Sequence, residues 1–115
     1  MYIQHDQMQV QQREHLRGGN GITDFLHIVP SEELPAKSRL FSQMSLEKGC
    51  SVGRHEHLGE TEIYYVLQGE GALDDNGILR PFRKGDCNVC KGGKYHAVSN
   101  EKDETLIILA VIILD

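Results

Sequence analysis

The fold-deciding stretch runs from Gly49 to Gly69 and reads GCSVGRHEHLGETEIYYVLQG. It places His55 and His57 two residues apart, so on a β-strand both imidazoles leave the same face and can reach one point. Glu62 follows five residues later, after a stretch able to turn or bulge the chain, and its carboxylate can enter beside the histidine pair. The stretch therefore predicts a chelating group on adjoining β-strands.

Residues 85–100 add a third histidine to this group. His96 follows the glycine-bearing turn of residues 91–94 and can supply a third nitrogen if its strand pairs next to the first stretch. Three nitrogens and one oxygen suit a divalent transition metal such as Mn, Fe, Co, Ni, Cu or Zn, and are too rich in nitrogen for Ca or Mg. An octahedral ion with four protein ligands keeps two open positions, which permits a small molecule to bind and react.

Both stretches resemble the two motifs of the cupin family. Residues 49–69 match the first motif (glycine, five residues, His-x-His, four residues, glutamate, six residues, glycine) at every marked position. Residues 85–100 match the second motif (glycine, five residues, proline, one residue, glycine, two residues, histidine, three residues, asparagine), except that Lys91 replaces the proline. The resemblance implies an all-β fold, the double-stranded β-helix or jelly-roll barrel. It also assigns the metal ligands to His55, His57, Glu62 and His96.

The chain around these motifs reads as one β domain covering residues 1–115. From Arg39 onward, short apolar runs alternate with turn residues every eight to twelve positions, a pattern typical of antiparallel sandwiches and barrels. Residues 1–24 mix Gln, charges and glycines, and we expect an arm that is loose or adds a strand to a neighbouring sheet. The first full strand is predicted at residues 25–29. Residues 106–114, which are apolar without alternation, are predicted to form a strand covered on both faces.

Composition excludes several classes of partner. The net charge of -5 opposes binding to nucleic acid, because such binding needs a basic face that releases counterions. The longest apolar run covers nine residues, against about 20 for a membrane-spanning helix. No stretch has the features of a signal peptide, and three cysteines, an odd number, suit a reducing compartment better than a disulfide framework. We therefore expect a cytoplasmic protein that contacts neither nucleic acid nor membrane.

Several other residues carry two interpretations. Tyr64 shares a strand face with Glu62, which makes it either a substrate contact or general acid, or a core residue. Cys87 and Cys90, three apart on a strand, should face opposite sides, one in the core and one outside. Four basic residues could draw an anionic substrate to a rim, although charged loop residues are more often simply solvated. They are Arg54, Arg80, Lys91 and Lys94.

Two functions of different classes fit this pattern. The first is a small metal-dependent enzyme acting on a small oxygen-bearing, possibly anionic molecule, since the family resemblance implies dioxygenases, isomerases, decarboxylases and lyases. The second is a non-catalytic module that binds or senses a small ligand through its metal. A purely structural metal is the third alternative. A small barrel covers only one face of residues 106–114 well. We therefore expect a partner subunit to cover the other apolar face, which predicts a homodimer.

Overall fold

The computed structural model describes residues 1–115, and ten β-strands form its regular structure. Single 3₁₀ turns lie at His5–Gln7, Leu16–Gly18 and Ser31–Glu33. None of these helical segments has the length and hydropathy needed to span a bilayer. The strands are β1 (Gln9–Glu14), β2 (Ile22–His27), β3 (Ser38–Leu46), β4 (Ser51–Glu56), β5 (Glu60–Gln68), β6 (Glu70–Asp75), β7 (Ile78–Arg83), β8 (Cys87–Cys90), β9 (Tyr95–Ser99) and β10 (Leu106–Leu114).

The strands form two antiparallel sheets that enclose one core. One sheet has six strands in the order β1-β2-β3-β10-β5-β8, and the other has four in the order β4-β9-β6-β7. Side chains from both sheets meet between them, among them the fully buried Leu46, Val66, Val98 and Leu106. Burial of this apolar surface stabilises the pairing of the two sheets. The predicted all-β jelly roll is confirmed.

Local sequence accounts for the hairpin between β6 and β7 and for the side-chain directions in β8. Asn76 and Gly77 have φ angles of 50° and 90°, the left-handed pair that a tight hairpin between β6 and β7 requires. Pro81 lies on β7, an edge strand, where its missing N–H interrupts no ladder. In β8 the side chain of Cys87 is exposed and that of Cys90 is buried, as the offset of three predicts.

The N-terminal part differs from the prediction. The strand predicted at residues 25–29 begins three residues earlier, and β2 ends at His27. Within the arm, β1 pairs with β2 from Gln9 opposite His27 to Glu14 opposite Ile22. All six residues of β1 are exposed, so no alternation of apolar residues marks the strand. Its backbone pairing with β2 determines its conformation, and a hydrophobic pattern cannot reveal such pairing.

Strand β10 lies at the centre of the six-stranded sheet, paired with β3 on one edge and β5 on the other. Its inward side chains, from Leu106 to Ile112, are buried. Its outward side chains are half-buried by neighbours in the sheet, and Ile113 is 43% exposed. Within one chain the inner face of β10 is therefore covered as predicted, and cover of the outer face by a partner subunit stays a prediction.

Candidate metal centre

Three strands bring the four predicted ligands together between the sheets. His55 lies on β4 directly opposite His96 on β9, and Glu62 enters from β5 in the other sheet. His57 follows the last residue of β4. All four side chains are buried, and their ligand atoms lie within 4.8 Å of one another. Strand β5 begins at Glu60, so the turn before it is shorter than expected and Glu62 is the third residue of the strand.

The spacing of the ligand atoms matches one coordination sphere. The Nε2 atom of His96 lies 3.1 Å from Nε2 of His55 and 3.2 Å from Nε2 of His57. The Oε1 atom of Glu62 is 2.9 Å from the His57 nitrogen, 3.0 Å from that of His96 and 3.4 Å from that of His55. Metal–nitrogen bonds of about 2.1 Å at right angles separate neighbouring ligand atoms by about 3.0 Å. The arrangement therefore fits a single divalent transition ion.

In each histidine, the hydrogen-bond partner of Nδ1 determines which ring nitrogen carries the proton and which one can bind a metal. Nδ1 of His55 faces the Gly53 carbonyl at 2.8 Å, Nδ1 of His57 faces a carboxylate at 2.6 Å, and Nδ1 of His96 faces the Asn88 amide oxygen at 2.7 Å. Because all three partners accept hydrogen bonds, Nδ1 carries the proton in each neutral ring. Three lone pairs on Nε2 and one carboxylate oxygen then converge. Such a group repels itself unless a proton or a metal ion lies among its members, and the four atoms are close enough to hold a metal ion there.

Burial and hydrogen bonding act in opposite directions on the ionisation of the ligands. Burial by itself raises the pKa of Glu62, but in the metal-free protein hydrogen bonds from His55, His57 and His96, made by a ring whose Nε2 takes up a proton, outweigh it, so the pKa lies well below its usual range. The hydrogen bond with Glu62 raises the pKa of His57, whereas burial lowers the pKa of His96. Glu62 is therefore ionised at neutral pH, the state in which a carboxylate binds a metal.

A carboxylate outside the predicted set orients His57. Glu60 accepts the hydrogen bond from Nδ1 of His57 and receives two more from Arg39, both at 2.7 Å. The Arg39 guanidinium, with His57 assisting, lowers the pKa of Glu60 to about 2. Neither Glu60 nor Arg39 is among the residues predicted for the site, because Glu60 was assigned to the turn before β5. Its spacing of two from Glu62, which places both carboxylates on one strand face, is the signal that identifies it.

The turn at residues 91–94, where Lys91 replaces the motif proline, is held by main-chain bonds. The Lys94 N–H donates to the Lys91 carbonyl at 3.0 Å and closes the turn. The Gly93 N–H donates to the His57 carbonyl, and the His57 N–H donates to the Lys94 carbonyl, at 2.6 and 3.0 Å. These bonds fix the backbone of His57 without the proline ring.

A cavity of about 110 Å³ adjoins the ligands, and its walls include Leu40, Met44 and Val52. None of the four basic residues considered for a rim lines it; Arg54, for example, pairs with Asp74 at 2.8 Å. The cavity is lined instead by arginines that the sequence analysis did not single out, because two of them belong to the arm. They are Arg13, Arg17 and Arg39.

Tyr64 also lines the cavity, but its ring is almost wholly enclosed. Its exposure is 1%, and the ring stacks on the His96 imidazole with centroids 4.5 Å apart. Burial, assisted by Glu62, raises its pKa well above the usual value, and the charge of Arg17 opposes this increase. Tyr64 therefore packs against a ligand. The function of its hydroxyl as a substrate contact or general acid stays a prediction.

Comparison with known proteins supports the same assignment of fold. The family model for the cupin domain matches residues 42–112. An oxalate-binding protein of Thermotoga maritima is 40% identical over 114 residues, which is 99% of this chain and 94% of that protein. A crystal structure from Thermotoga maritima, described as a predicted oxalate decarboxylase, superposes with a TM-score of 0.94 at 39% identity over the full length of both chains.

A more distant structure shares the fold alone. The cupin-superfamily sugar phosphate isomerase from Silicibacter pomeroyi has a TM-score of 0.79 at 20% identity, covering 100% of this chain and 76% of that one. The same barrel therefore accompanies different described activities, and only the residues of the site can distinguish among them.

Proposed function

This chain belongs to the cupin domain family, and we propose that it binds a small carboxylate at a divalent metal centre, with oxalate the simplest candidate ligand. The observation that carries the proposal is the convergence of three imidazole Nε2 atoms and one carboxylate beside a small cavity lined with arginines. A metal held by these four residues would supply Lewis acidity and open positions for ligand oxygens. The oxalate-binding relative supports this class of ligand.

Binding is better supported than turnover. Apart from Glu62, the cavity wall contains no carboxyl group that could act as a general acid or base. His27 also lines the cavity, but its Nδ1 lies 2.7 Å from the Ser42 hydroxyl and its Nε2 lies 2.9 Å from the Gln11 amide oxygen. Both nitrogens of this ring are therefore occupied. The absence of a free acid or base in the cavity wall therefore favours ligand binding over catalysis.

Calorimetry tests the binding function directly. Protein stripped with a chelator and then reloaded with Mn²⁺ should bind oxalate, and the stripped protein should bind it at least about tenfold more weakly. The chelator must be removed before titration, and metal content must be measured before and after. Equal oxalate affinity with and without metal would refute the proposed metal-dependent site.

Decarboxylation of a small carboxylate is the second candidate. The buried hydroxyl of Tyr64 lies on the cavity wall, and one structure of 39% identity is described as a predicted oxalate decarboxylase. In this reaction oxalate loses carbon dioxide and takes up one proton to leave formate. Incubation of metal-loaded protein with ¹³C-labelled oxalate, followed by NMR, distinguishes the candidates, because formate accumulates only if the protein turns its ligand over.

We also propose that a second copy of this chain covers the outer face of the six-stranded sheet. Four apolar side chains on this face are 37–49% exposed: Tyr65, Leu67, Val89 and Ile113. The four side chains carry no charge, so the same patch on a second copy can pack against them across a twofold axis without burying an unpaired charge. Light scattering should give twice the chain mass of 13.0 kDa, and Val89→Glu should halve it. A monomeric wild-type protein at micromolar concentration would contradict the homodimer.

A further inference from the structure

The cavity beside the metal ligands has an excess of positive charge. Arg13, Arg17 and Arg39 line it, whereas Glu62 is its only acidic wall residue and is occupied by three histidines. Arg39 forms a two-bond pair with Glu60. Arg13 and Arg17 form no hydrogen bond or ion pair within the chain through their side chains. Two guanidinium groups therefore remain available to an anion inside or above the cavity.

The backbone at Arg17 is strained. Its φ of 54° and ψ of 31° lie in the left-handed region, which a residue with a Cβ adopts with difficulty. The next residue, Gly18, also has a positive φ, of 79°, so the turn requires the left-handed region at two consecutive positions and only one of them is a glycine. Strained residues of this kind cluster where a side chain must point in one direction to serve a ligand.

Close packing against β4 holds the turn that carries Arg17. The Ser51 N–H donates to the Asn20 carbonyl, and the Asn20 N–H donates to the Ser51 hydroxyl, both at 2.8 Å. A Cβ on Gly53 would overlap the carbonyl oxygen of Arg17, so only glycine permits this approach. The carbonyl of Gly53 also accepts the hydrogen bond from Nδ1 of His55. One residue therefore joins the arm to the strand that carries a metal ligand.

We propose that Arg17, assisted by Arg13, binds the carboxylate of a short dianion that lies remote from the four ligands, so that the site selects dicarboxylates over monocarboxylates. This selectivity rests on the proposed function of a metal centre that binds a small carboxylate. The planar guanidinium matches a carboxylate with two parallel hydrogen bonds. The cavity volume of about 110 Å³ equals that of fewer than four water molecules at about 30 Å³ each, so the cavity admits only a short anion. Dicarboxylates of two or three carbons meet both conditions.

Oxalate and glycolate are the matched probes. Both have two carbons and can bind a metal through one carboxylate, but the other end of oxalate is a second carboxylate, whereas the other end of glycolate is a neutral hydroxyl. Calorimetric titrations of the full-length Mn²⁺-loaded protein, with metal content verified, should show that Arg17→Gln weakens oxalate binding about 10- to 100-fold. Glycolate affinity should change less than about threefold. The control Arg80→Gln removes the same charge from an exposed position on β7, outside the cavity, and should leave both affinities unchanged.

A second variant separates binding from folding. Arg17→Gly removes the side chain and also relieves the left-handed backbone, so the melting temperature should stay the same or rise by a few degrees while oxalate affinity falls as in Arg17→Gln. Unchanged oxalate affinity in Arg17→Gln and in the double variant with Arg13→Gln would overturn the dianion site alone. An equal loss in Arg80→Gln would also overturn it. Failure of the metal-loaded wild type to bind either probe would overturn this site together with the proposed function.

Discussion

The motif segment (residues 49–100) and the N-terminal arm (residues 1–24) both line the cavity, but their sequences reveal this very differently. The motif segment carries all four residues that could hold a metal ion, at spacings that correspond to strand geometry. The arm contributes Arg13 and Arg17 from an exposed strand and a strained turn that no pattern marks. Functional residues that share a regular spacing within one segment can be predicted from the sequence. Functional residues that depend on contact between two distant segments cannot.

The largest expected effect is the loss of bound metal. Only substitutions in the motif segment should cause it. His57→Ala or Glu62→Ala should reduce bound metal from about one ion per chain to less than about a tenth, because each removes a ligand from a four-atom set. Elemental analysis of the purified protein measures this. His5→Ala, which removes an arm histidine remote from the ligands, should retain full metal content. Full metal content in both ligand variants would refute the site.

The second largest effect should be a loss of stability when the packing between the arm and the motif segment is disrupted. Gly53→Ala forces a Cβ against the Arg17 carbonyl and should lower the free energy of unfolding by about 1–3 kcal/mol. Urea denaturation measures the loss, and trypsin should cleave the released arm faster at Arg13 and Arg17. Gly92→Ala is the matched control, because its Cβ would meet only ordinary contacts at 3.4 Å or more. Equal stability of the two variants would show that the arm does not depend on this contact.

The Glu60–His57 hydrogen bond should tune the metal site without forming it. Glu60→Gln weakens the acceptor that orients the imidazole and should reduce metal affinity about 10- to 100-fold. Competition with a chromogenic chelator measures the affinity. Glu56→Gln removes an exposed carboxylate from β4 and should leave metal affinity unchanged. If both variants bind metal like the wild type, Glu60 has no orienting function.

The same carboxylate predicts a pH dependence of stability in metal-free protein. Because Arg39 lowers the pKa of Glu60 from 4.5 to about 2, its ionised form stabilises the fold fully above about pH 4.5, and this contribution is lost as pH falls toward about 2. The difference in unfolding free energy between wild type and Glu60→Gln should therefore shrink between pH 5 and pH 3. Urea titrations at several pH values measure it, and a constant difference would contradict the lowered pKa.

The smallest effect should be a gain in stability within the arm. The hydroxyl of Thr23 is buried and has no hydrogen-bond partner. Thr23→Val removes this unsatisfied group and should raise the free energy of unfolding by about 1 kcal/mol. Thr105→Val is the contrasting variant, because its hydroxyl donates to Glu47 at 2.9 Å and its loss should bring no gain. A less stable Thr23→Val protein would indicate a hydrogen bond to solvent at this position.

The sequence alone was enough to predict an antiparallel β-sandwich or barrel and the group of residues that could hold the metal, and its resemblance to the cupin motifs implied the jelly roll. Alternating burial, turn glycines and the His-x-His spacing are local signals, and each acts over fewer than ten residues. The tight hairpin at Asn76–Gly77 and the opposite faces of Cys87 and Cys90 were predicted for the same reason. The start of β2 and the existence of β1 were not, because β1 buries no side chain and pairs only through its backbone.

Contacts between distant residues were decided by the tertiary structure. Arg39 meets Glu60 across 21 positions, and Arg17 meets Gly53 across 36, through strand pairing and backbone packing that leave no periodic trace. The half-exposed outer face of β10 likewise depends on which strands flank it. Residue types and their spacing determine which atoms can bind a metal, because ligand chemistry is local. The fold determines which charges surround that metal, because a cavity wall is assembled from segments that are neighbours only in space.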